Sequence, residues 1–324
     1  MKAGLQNILV IQTAFLGDVV LATALVEKLR QQYPESAIDM LVRKGNESLL
    51  AGHPHLREVL VFDKKDKTRS LRQLIRTVRR QRYDLVVNAQ RFFSSGLIAV
   101  LSGAKHIVGY DKNPLAFGYS RKVSHRVGDG THEVTRNQRL IAPFTDEEPA
   151  RPRLYPSEAS LAKIPTDRPY VTVAPTSVWF TKQWPAEKWI ELIDLLPVDQ
   201  DVFLLGAPGD HEACAHLRGQ TKHPRVHNMA GKLSLLDSAA YMSNAVMNYA
   251  NDSAPIHLAS AMNAPMTAVF CSTVPAFGFT PLSDKSRVVE YEGNLPCRPC
   301  GLHGHQACPE GHFRCADINP EQVL

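Results

Sequence analysis

Apolar residues along this chain gather in short unbroken runs, and between the runs polar and apolar positions recur at helical spacing. That rhythm predicts the buried strands of parallel sheets interleaved with helices. The first run is Ile8 to Gln12; a turn over 13–18 follows, and from Val19 to Tyr33 the residues Val20, Ala24, Leu25 and Leu29 mark one face of a helix. Runs at 38–42, 59–62, 83–88 and 104–110 read as further strands, and Leu71, Leu74, Ile75 and Val78 give a helix between 64 and 82 its apolar face. The periodicity lapses from Thr145 to Pro169, where Pro152, Pro156, Pro165 and Pro169 accumulate, as in a linker. Alternation then resumes. Strands are predicted at 170–174, 202–205, 245–250 and 266–270, with one helix carried by Ile190, Leu192, Ile193 and Leu196 and another running from Ala259. Two such series predict an α/β chain of two doubly wound domains, residues 1–150 and 170–324, joined by a linker at 151–169.

Open α/β sheets bind ligands at the carboxyl ends of their strands, so polar residues there are the first site candidates. Asp18 lies at such an end, at the N-terminus of the first helix, where it would serve equally well as a cap. Gln90 and Arg91 follow the strand that ends at Asn88. In the second half, Asp252-Ser253 separates an apolar strand from a helix. Their oxygens would cap free N–H groups, Pro255 suits the first turn, and the exposed amides at the positive end of the helix dipole form an anion site. His257, one turn further on, is a polar group that a core would have to satisfy, which points to a ligand site. Thr176, Ser177, Thr181 and Lys182 crowd the loop after the strand at 170–174, the arrangement expected where hydroxyls and an ammonium meet a diphosphate. The glycines of a P-loop are absent from it. Asp210 or Glu212, in and just after the turn that follows the strand at 202–205, is placed by position to accept hydrogen bonds from a ribose.

The 324 residues, 44% apolar and 21% charged, hold ample material for two cores. No apolar run is long enough to span a bilayer, and the N-terminus lacks the pattern of a signal peptide, so a cytoplasmic protein is expected. A net charge of +5 favours anionic partners. Nine cations between Lys64 and Arg82, Arg72 among them, face the single acid Asp66. Such a basic helix reads first as a solvated face, and next as a contact with phosphates of a lipid-anchored ligand or with the anionic inner membrane leaflet. Without interleaved aromatics or a recognised module, nucleic acid ranks last. Cys297, Cys300, Cys308 and Cys315, with His303, His305 and His312 among them, have the spacing of a structural zinc knuckle, although free thiols are the default in a reducing compartment.

Several separated segments share a resemblance to one family. Asp252-Ser253-Ala254-Pro255-Ile256-His257-Leu258-Ala259 resembles the Asp-Ser-Gly-Pro-x-His-Leu-Ala signature of the heptosyltransferases, the ADP-heptose:lipopolysaccharide transferases of glycosyltransferase family 9, with Ala254 where the family usually has Gly. Gly17-Asp18-Val19-Val20-Leu21-Ala22-Thr23 is similar to the family's first motif, whose Asp is its general base. Lys182-Gln183-Trp184-Pro185 resembles the Lys-x-Trp-Pro motif with its phosphate-contacting lysine. Asn228-Met229-Ala230-Gly231-Lys232 resembles an Asn-x-Ala-Gly-Lys segment, which would place Met229 and Gly231 on the adenine side. His132-Glu133-Val134 and Asn137 resemble a segment near the acceptor, although Thr131 ahead of them is equally a helix N-cap. Similar Cys-rich tails occur in the family without implying catalysis by metal.

The resemblance implies the GT-B architecture, two Rossmann-like domains facing a central cleft, with the acceptor on the N-terminal domain and the nucleotide sugar on the C-terminal one. It implies inverting, metal-independent transfer of heptose from ADP-heptose to a hydroxyl of the lipopolysaccharide inner core or a related glycolipid, with no cofactor required. Asp18 would be the base, and Lys182 with the amides near Ser253 would offset charge on the leaving diphosphate. Thr176, Ser177, Thr181, Asp210, Met229, Gly231, Asp252, Ser253 and Ala254 would hold the donor, with His257 positioning the Asp252–Ser253 turn. Gly17, Gln90, Arg91, Lys64 and Arg72 would meet the acceptor, and the basic helix would touch the inner membrane. Two other readings stand beside it: a GT-B transferase using another sugar nucleotide, and a nucleotide-sugar- or glycolipid-binding protein without turnover.

Overall fold

The computed structural model describes residues 4–165 and 167–324. Contacts gather the chain into two units. The N-terminal unit runs to Val127 and includes Thr131–Tyr155; the C-terminal unit holds Gly128–Gly130 and Pro156–Leu324.

In the N-terminal unit the elements run β1 (Asn7–Ile11), α1 (Leu16–Gln32), β2 (Ala37–Arg43), β3 (Glu58–Phe62), α2 (Lys67–Gln81), β4 (Leu85–Asn88), α3 (Phe93–Val100), β5 (His106–Tyr110), β6 (Arg121–Val123) and α4 (Glu133–Ile141). All six strands pair in parallel in the order β3-β2-β1-β4-β5-β6, with Ile11 opposite Leu41 on one side and Asn88 on the other. Both faces of such a sheet are covered, which is why its strands read as unbroken apolar runs. Leu9, Ile11, Leu41 and Leu60 pack with Leu74 and Val78 of α2 and Ile98 of α3. The alternate residues Ile8, Val10 and Met40, fully buried, project to the opposite face. There α1 and α4 pack against each other.

The C-terminal unit repeats the design: α5 (Glu158–Leu161), β7 (Tyr170–Ala174), α6 (Ala186–Leu195), β8 (Asp201–Leu204), α7 (His211–Gln220), β9 (Val226–Asn228), α8 (Leu235–Asn244), β10 (Met247–Asn251), α9 (Ala254–Ala261), β11 (Met266–Phe270), β12 (Ser286–Glu290) and α10 (Pro320–Val323). Its parallel order, β12-β11-β10-β7-β8-β9, is the same topology counted from the other edge. Strand order therefore reverses between β1 and β4 in one unit and between β7 and β10 in the other, and a doubly wound sheet opens its ligand crevice at that point.

The differences from the sequence reading lie at element ends and edges. Helix α1 starts at Leu16, so Asp18 sits inside its first turn with Phe15 as N-cap. The basic helix begins only at Lys67, leaving Lys64 in the preceding loop. The stretch read as a linker holds α5, capped by Ser157, whose hydroxyl accepts the Ser160 N–H. The cap of α4 is His132, not Thr131, its ring nitrogen accepting the Val134 N–H at 3.2 Å. Strands β6, β9 and β12 are absent from the sequence reading because an edge strand of three to five residues, Arg-Lys-Val, Val-His-Asn or Ser-Arg-Val-Val-Glu, lacks a long apolar run.

Gly96 marks where the fold locks onto the site. A Cβ there would lie 2.2 Å from Oδ1 of Asn113, a buried side chain whose Nδ2 holds the carbonyls of Gln90 (3.2 Å) and Phe92 (3.0 Å). Gly96→Ala is expected to lower the urea unfolding free energy by about 1–3 kcal/mol through overpacking, whereas an equal stability for the variant would show that Asn113 moves aside freely.

Candidate functional site

At the switch point of the N-terminal unit, Asp18 projects from the first turn of α1, immediately after Gly17. Burial pushes its carboxyl up and the nearby charge of Glu133 pushes it further, against the backbone N–H groups of Phe15 and Asp18 and the guanidinium of Arg91, to about 6. Glu133 lies in the first turn of α4, the helix that packs on α1. Burial alone would raise its own pKa, but His125, with Nε2 3.3 Å from both carboxylate oxygens, and Arg136, donating at 2.6 Å, hold it below the ordinary value. A permanent anion thus stands behind a carboxylate that titrates near neutrality. The sequence reading names Glu133 only within a segment that resembles one near the acceptor, and does not include His125 or Arg136. Only the resemblance around His132–Val134 could have drawn attention to Glu133, because its effect depends on helix packing.

The loops around Asp18 are laced together. Gln12 donates to the Ala89 carbonyl and accepts from the Ala14 N–H and from Gln90, whose own Oε1 accepts the Arg91 N–H. Gln90 is thereby buried and engaged in bracing. The Lys64 ammonium, at the end of β3, reaches the Thr13 carbonyl at 2.9 Å. Arg72 is exposed on α2 and away from this lacing.

At the switch point of the C-terminal unit, Lys182, in the one-turn 3-10 helix Phe180–Lys182 after β7, pairs at 2.7 Å with Asp252, which follows β10. Their side chains are 14% and 7% exposed, and Asp252 also accepts the Thr273 hydroxyl at 2.5 Å. Asp252 and Ser253 do not cap α9: no side chain does, and the Ser253 hydroxyl donates back to the Asn251 carbonyl at 3.4 Å. The carboxylate is drawn to the ammonium instead, and the helix N-terminus is left without a side-chain cap. Ala254 is the first residue of α9 and has no positive φ, so the methyl group suits the backbone where the family usually has Gly. Asn251 closes the loop that carries Lys182, donating to the Pro175 carbonyl at 2.7 Å and accepting the Trp184 N–H at 2.9 Å. Within that loop, Ser177 accepts the Trp179 N–H at 3.5 Å, and Thr176 borders a small cavity beside Trp184 and Trp189.

Thr181 is buried and turned to the tail: its N–H donates to the His305 carbonyl (3.1 Å) and its Oγ1 accepts the His305 N–H (2.8 Å). A Cβ on Gly304, whose φ is +76°, would meet Thr181 Oγ1 at 2.8 Å and Lys182 Cγ at 3.3 Å, so the tail backbone lies directly on the lysine stem. The tail thiols are free, and Cys315 is buried in the core. Among the described residues no three His, Cys, Asp or Glu side chains converge as a metal cage. Cys297 Sγ lies 3.9 Å from His312 Nε2, and the Cys300 thiol donates to the Cys297 carbonyl at 3.4 Å, while the tail backbone at Gly304 and His305 clamps the Lys182 loop.

Asp210 accepts the Ala207 N–H at 2.7 Å, stabilising its own turn. Met229 and Gly231 form the turn after β9, where Gly231 has φ +77° and a Cβ would lie 2.9 Å from Pro208 Cα. His257 is buried, its ring edge-on to Phe279 at 6.5 Å.

Comparison with known proteins follows the same lines. The model of glycosyltransferase family 9 (heptosyltransferase) matches residues 71–307, a span that includes the Lys182 and Asp252 loops and begins after Asp18. Lipopolysaccharide heptosyltransferase 3 of Escherichia coli K12 is 28% identical over 280 residues, covering 81% of each chain. The solved structure of E. coli ADP-heptose lipopolysaccharide heptosyltransferase II superposes with a TM-score of 0.80 at 24% identity, over 98% of this chain and 96% of that one. E. coli heptosyltransferase WaaC with ADP-2-deoxy-2-fluoro heptose superposes with a TM-score of 0.73 at 21% identity, over 89% and 94%. The fold is thus the two-domain Rossmann-like architecture of these transferases.

Asp18 should weaken the fold at neutral pH. Because its folded pKa of about 6 lies above the ordinary 3.8, its favourable contribution is complete below about pH 4 and is lost as the pH rises through 6. Asp18→Asn is expected to be more stable than the parent at pH 7.5 by up to about 3 kcal/mol, a gap that closes toward pH 4. Thermal or urea unfolding at the two pH values measures it; a variant no more stable at pH 7.5 would contradict the raised pKa.

Proposed function

The chain belongs to glycosyltransferase family 9, the heptosyltransferase family, and from that premise we propose that it moves heptose from ADP-heptose to a hydroxyl of the lipopolysaccharide inner core or a related glycolipid, with inversion. The observation that carries this reading is the pairing of chemistries at the two switch points: a carboxylate titrating near 6 in one unit, and a half-buried ammonium beside a helix N-terminus without a side-chain cap in the other. Relatives named as lipopolysaccharide heptosyltransferases, and a structural neighbour solved with an ADP-heptose analogue, support the choice of donor and acceptor.

The transfer is a single displacement. The acceptor oxygen bonds to the anomeric carbon as the bond from that carbon to the diphosphate breaks. Asp18 takes the hydroxyl proton, and a base with a pKa close to working pH suits that task. Lys182, oriented by Asp252, and the N–H groups of Ser253 and Ala254 offset the charge growing on ADP, so the reaction needs no resident cofactor. Thr176 and Ser177 border the diphosphate. Met229, Gly231 and the Asp210 turn line the adenosine side, and Thr181 and His257 hold the loops in place. Arg91, Lys64 and Arg72 meet anionic groups of the acceptor, while Gly17 and Gln90 shape the floor on which it rests. Among the described residues no helix is long and apolar enough to cross a membrane, and we place the reaction at the cytoplasmic face of the inner membrane, where such an acceptor is anchored.

ADP release from ADP-heptose with a panel of deacylated core acceptors tests the reading. Acceptor-dependent release is expected, with Asp18→Asn keeping donor affinity and losing roughly 10²–10⁴-fold in turnover. Lys182→Ala should lose both affinity and rate. Donor binding without release from any acceptor would sink heptosyl transfer; restored turnover with another sugar nucleotide would move the chain to that donor, and none at all would leave a binding protein. In the same assay the acidic limb of kcat/KM should fall near pH 6, and Glu133→Gln should move it lower by removing a like charge. A limb that stays in place in Glu133→Gln would exclude Glu133 from tuning the base.

A further inference from the structure

Phe92 and Phe93 are adjacent in sequence, and the topology brings the loop of Phe15 to the end of the neighbouring strand. Phe15, Phe92 and Phe93 are 56%, 61% and 53% exposed. Phe15 caps α1 after β1, and Phe92 and Phe93 open α3 after β4. These strands are parallel neighbours, about 4.8 Å apart, so both loops leave the same edge of the sheet.

The rings are not displayed by slack loops. The Phe15 loop is held by Lys64 on the Thr13 carbonyl, Asn46 on the Ala14 carbonyl at 3.2 Å, and the Ala14 N–H on Gln12. The Phe92 carbonyl is held by Asn113 Nδ2 and by the Ser95 hydroxyl at 2.8 Å. Cations accompany the rings: the Arg43 guanidinium lies 5.1 Å from the centre of the Phe15 ring, Lys64 is exposed beside it, and Arg91 precedes Phe92. Exposed rings on braced loops at neighbouring strand ends, accompanied by ammonium and guanidinium groups, match a surface that is apolar within and anionic without. Helix α2 offers less. Its cations are numerous, but Leu74 and Val78 are buried in the sheet core, and it has no aromatic residue to enter lipid.

We propose that Phe15, Phe92 and Phe93, with Arg43, Lys64 and Arg91, form a collar that docks the N-terminal unit on an anionic phospholipid bilayer. The proposal rests on the reading of a lipid-anchored acceptor: docking at the rim of the Asp18 loop brings the base to the surface where that acceptor is displayed. The phenyl rings enter the interface and the cations meet lipid phosphates, each cation adding to the attraction.

Co-sedimentation of the full chain with phosphatidylethanolamine–phosphatidylglycerol vesicles, against phosphatidylcholine vesicles, tests this. The parent should bind the anionic vesicles in preference. The triple variant Phe15→Ser, Phe92→Ser, Phe93→Ser should bind roughly tenfold more weakly, with an unchanged unfolding midpoint because the rings are exposed. Arg76→Gln, Arg79→Gln, Arg80→Gln on α2 should weaken binding less. Absence of binding by the parent, undiminished binding by the phenylalanine variant, or a larger loss from the α2 variant would each overturn the proposal. Transfer to a deacylated acceptor separates this from the proposed reaction: the collar variant should keep the parent's KM, and a raised KM with unchanged vesicle binding would assign the rings to the acceptor saccharide instead.

Discussion

A parallel sheet wound in both directions from one central pair of strands leaves those two strands with crossovers that depart to opposite faces, and nothing in the fold fills the gap between them. This chain contains that constraint twice, at β1/β4 and at β7/β10, and its most closely coupled charged groups lie there. Asp18 and Arg91 leave the two strands of the first pair; Lys182 and Asp252 leave the two strands of the second. The ion pair between Lys182 and Asp252 is therefore also a brace joining the two diverging connections, and it leaves α9 uncapped by any side chain.

Uncharged amides hold both gaps open. Gln12, Gln90 and Asn113 stitch the loops of the N-terminal unit, and Asn251 closes the Lys182 loop through one donor and one acceptor. An amide side chain can bond a carbonyl and an N–H at once without adding net charge. That property matters beside a carboxylate whose proton affinity depends on its field. A cation at position 90 would favour ionised Asp18 and an anion would disfavour it. The amides fix geometry and leave the charge balance to Glu133 and Arg91.

Much of this was legible in the chain, for a physical reason. Strands buried on both faces announce themselves as apolar runs, so the repeated α/β alternation, and with it the strand ends carrying Asp18, Gln90, Lys182 and Asp252, followed from pattern alone. Capping did not follow: Asp-Ser ahead of Pro255 looks like a cap until the ammonium of Lys182, distant in sequence, claims the carboxylate. Glu133 was hidden for the same reason, because its influence on Asp18 exists only once α4 packs on α1. The cysteine spacing gave no hint of what the segment between the thiols does: its backbone, at Gly304 and His305, lies on Thr181 and the stem of Lys182.

Charge patterning also gave way to packing. The run from Lys64 to Arg82 looked like one basic helix, but the turn at Asp66 separates Lys64 from α2, and the separation changes what each part does. On α2 the buried side chains anchor the helix to the sheet and leave little apolar surface beside its arginines. Lys64, released from the helix, bends to the Thr13 carbonyl and stiffens the loop that displays Phe15. A cation that fixes a phenyl ring at the rim of a site contributes more to recognition of an amphiphile than several that project alone from a helix. Contact with such a molecule needs apolar area and charge in one place, and the loops that frame Asp18 combine an exposed Phe15 ring with the Arg43 guanidinium.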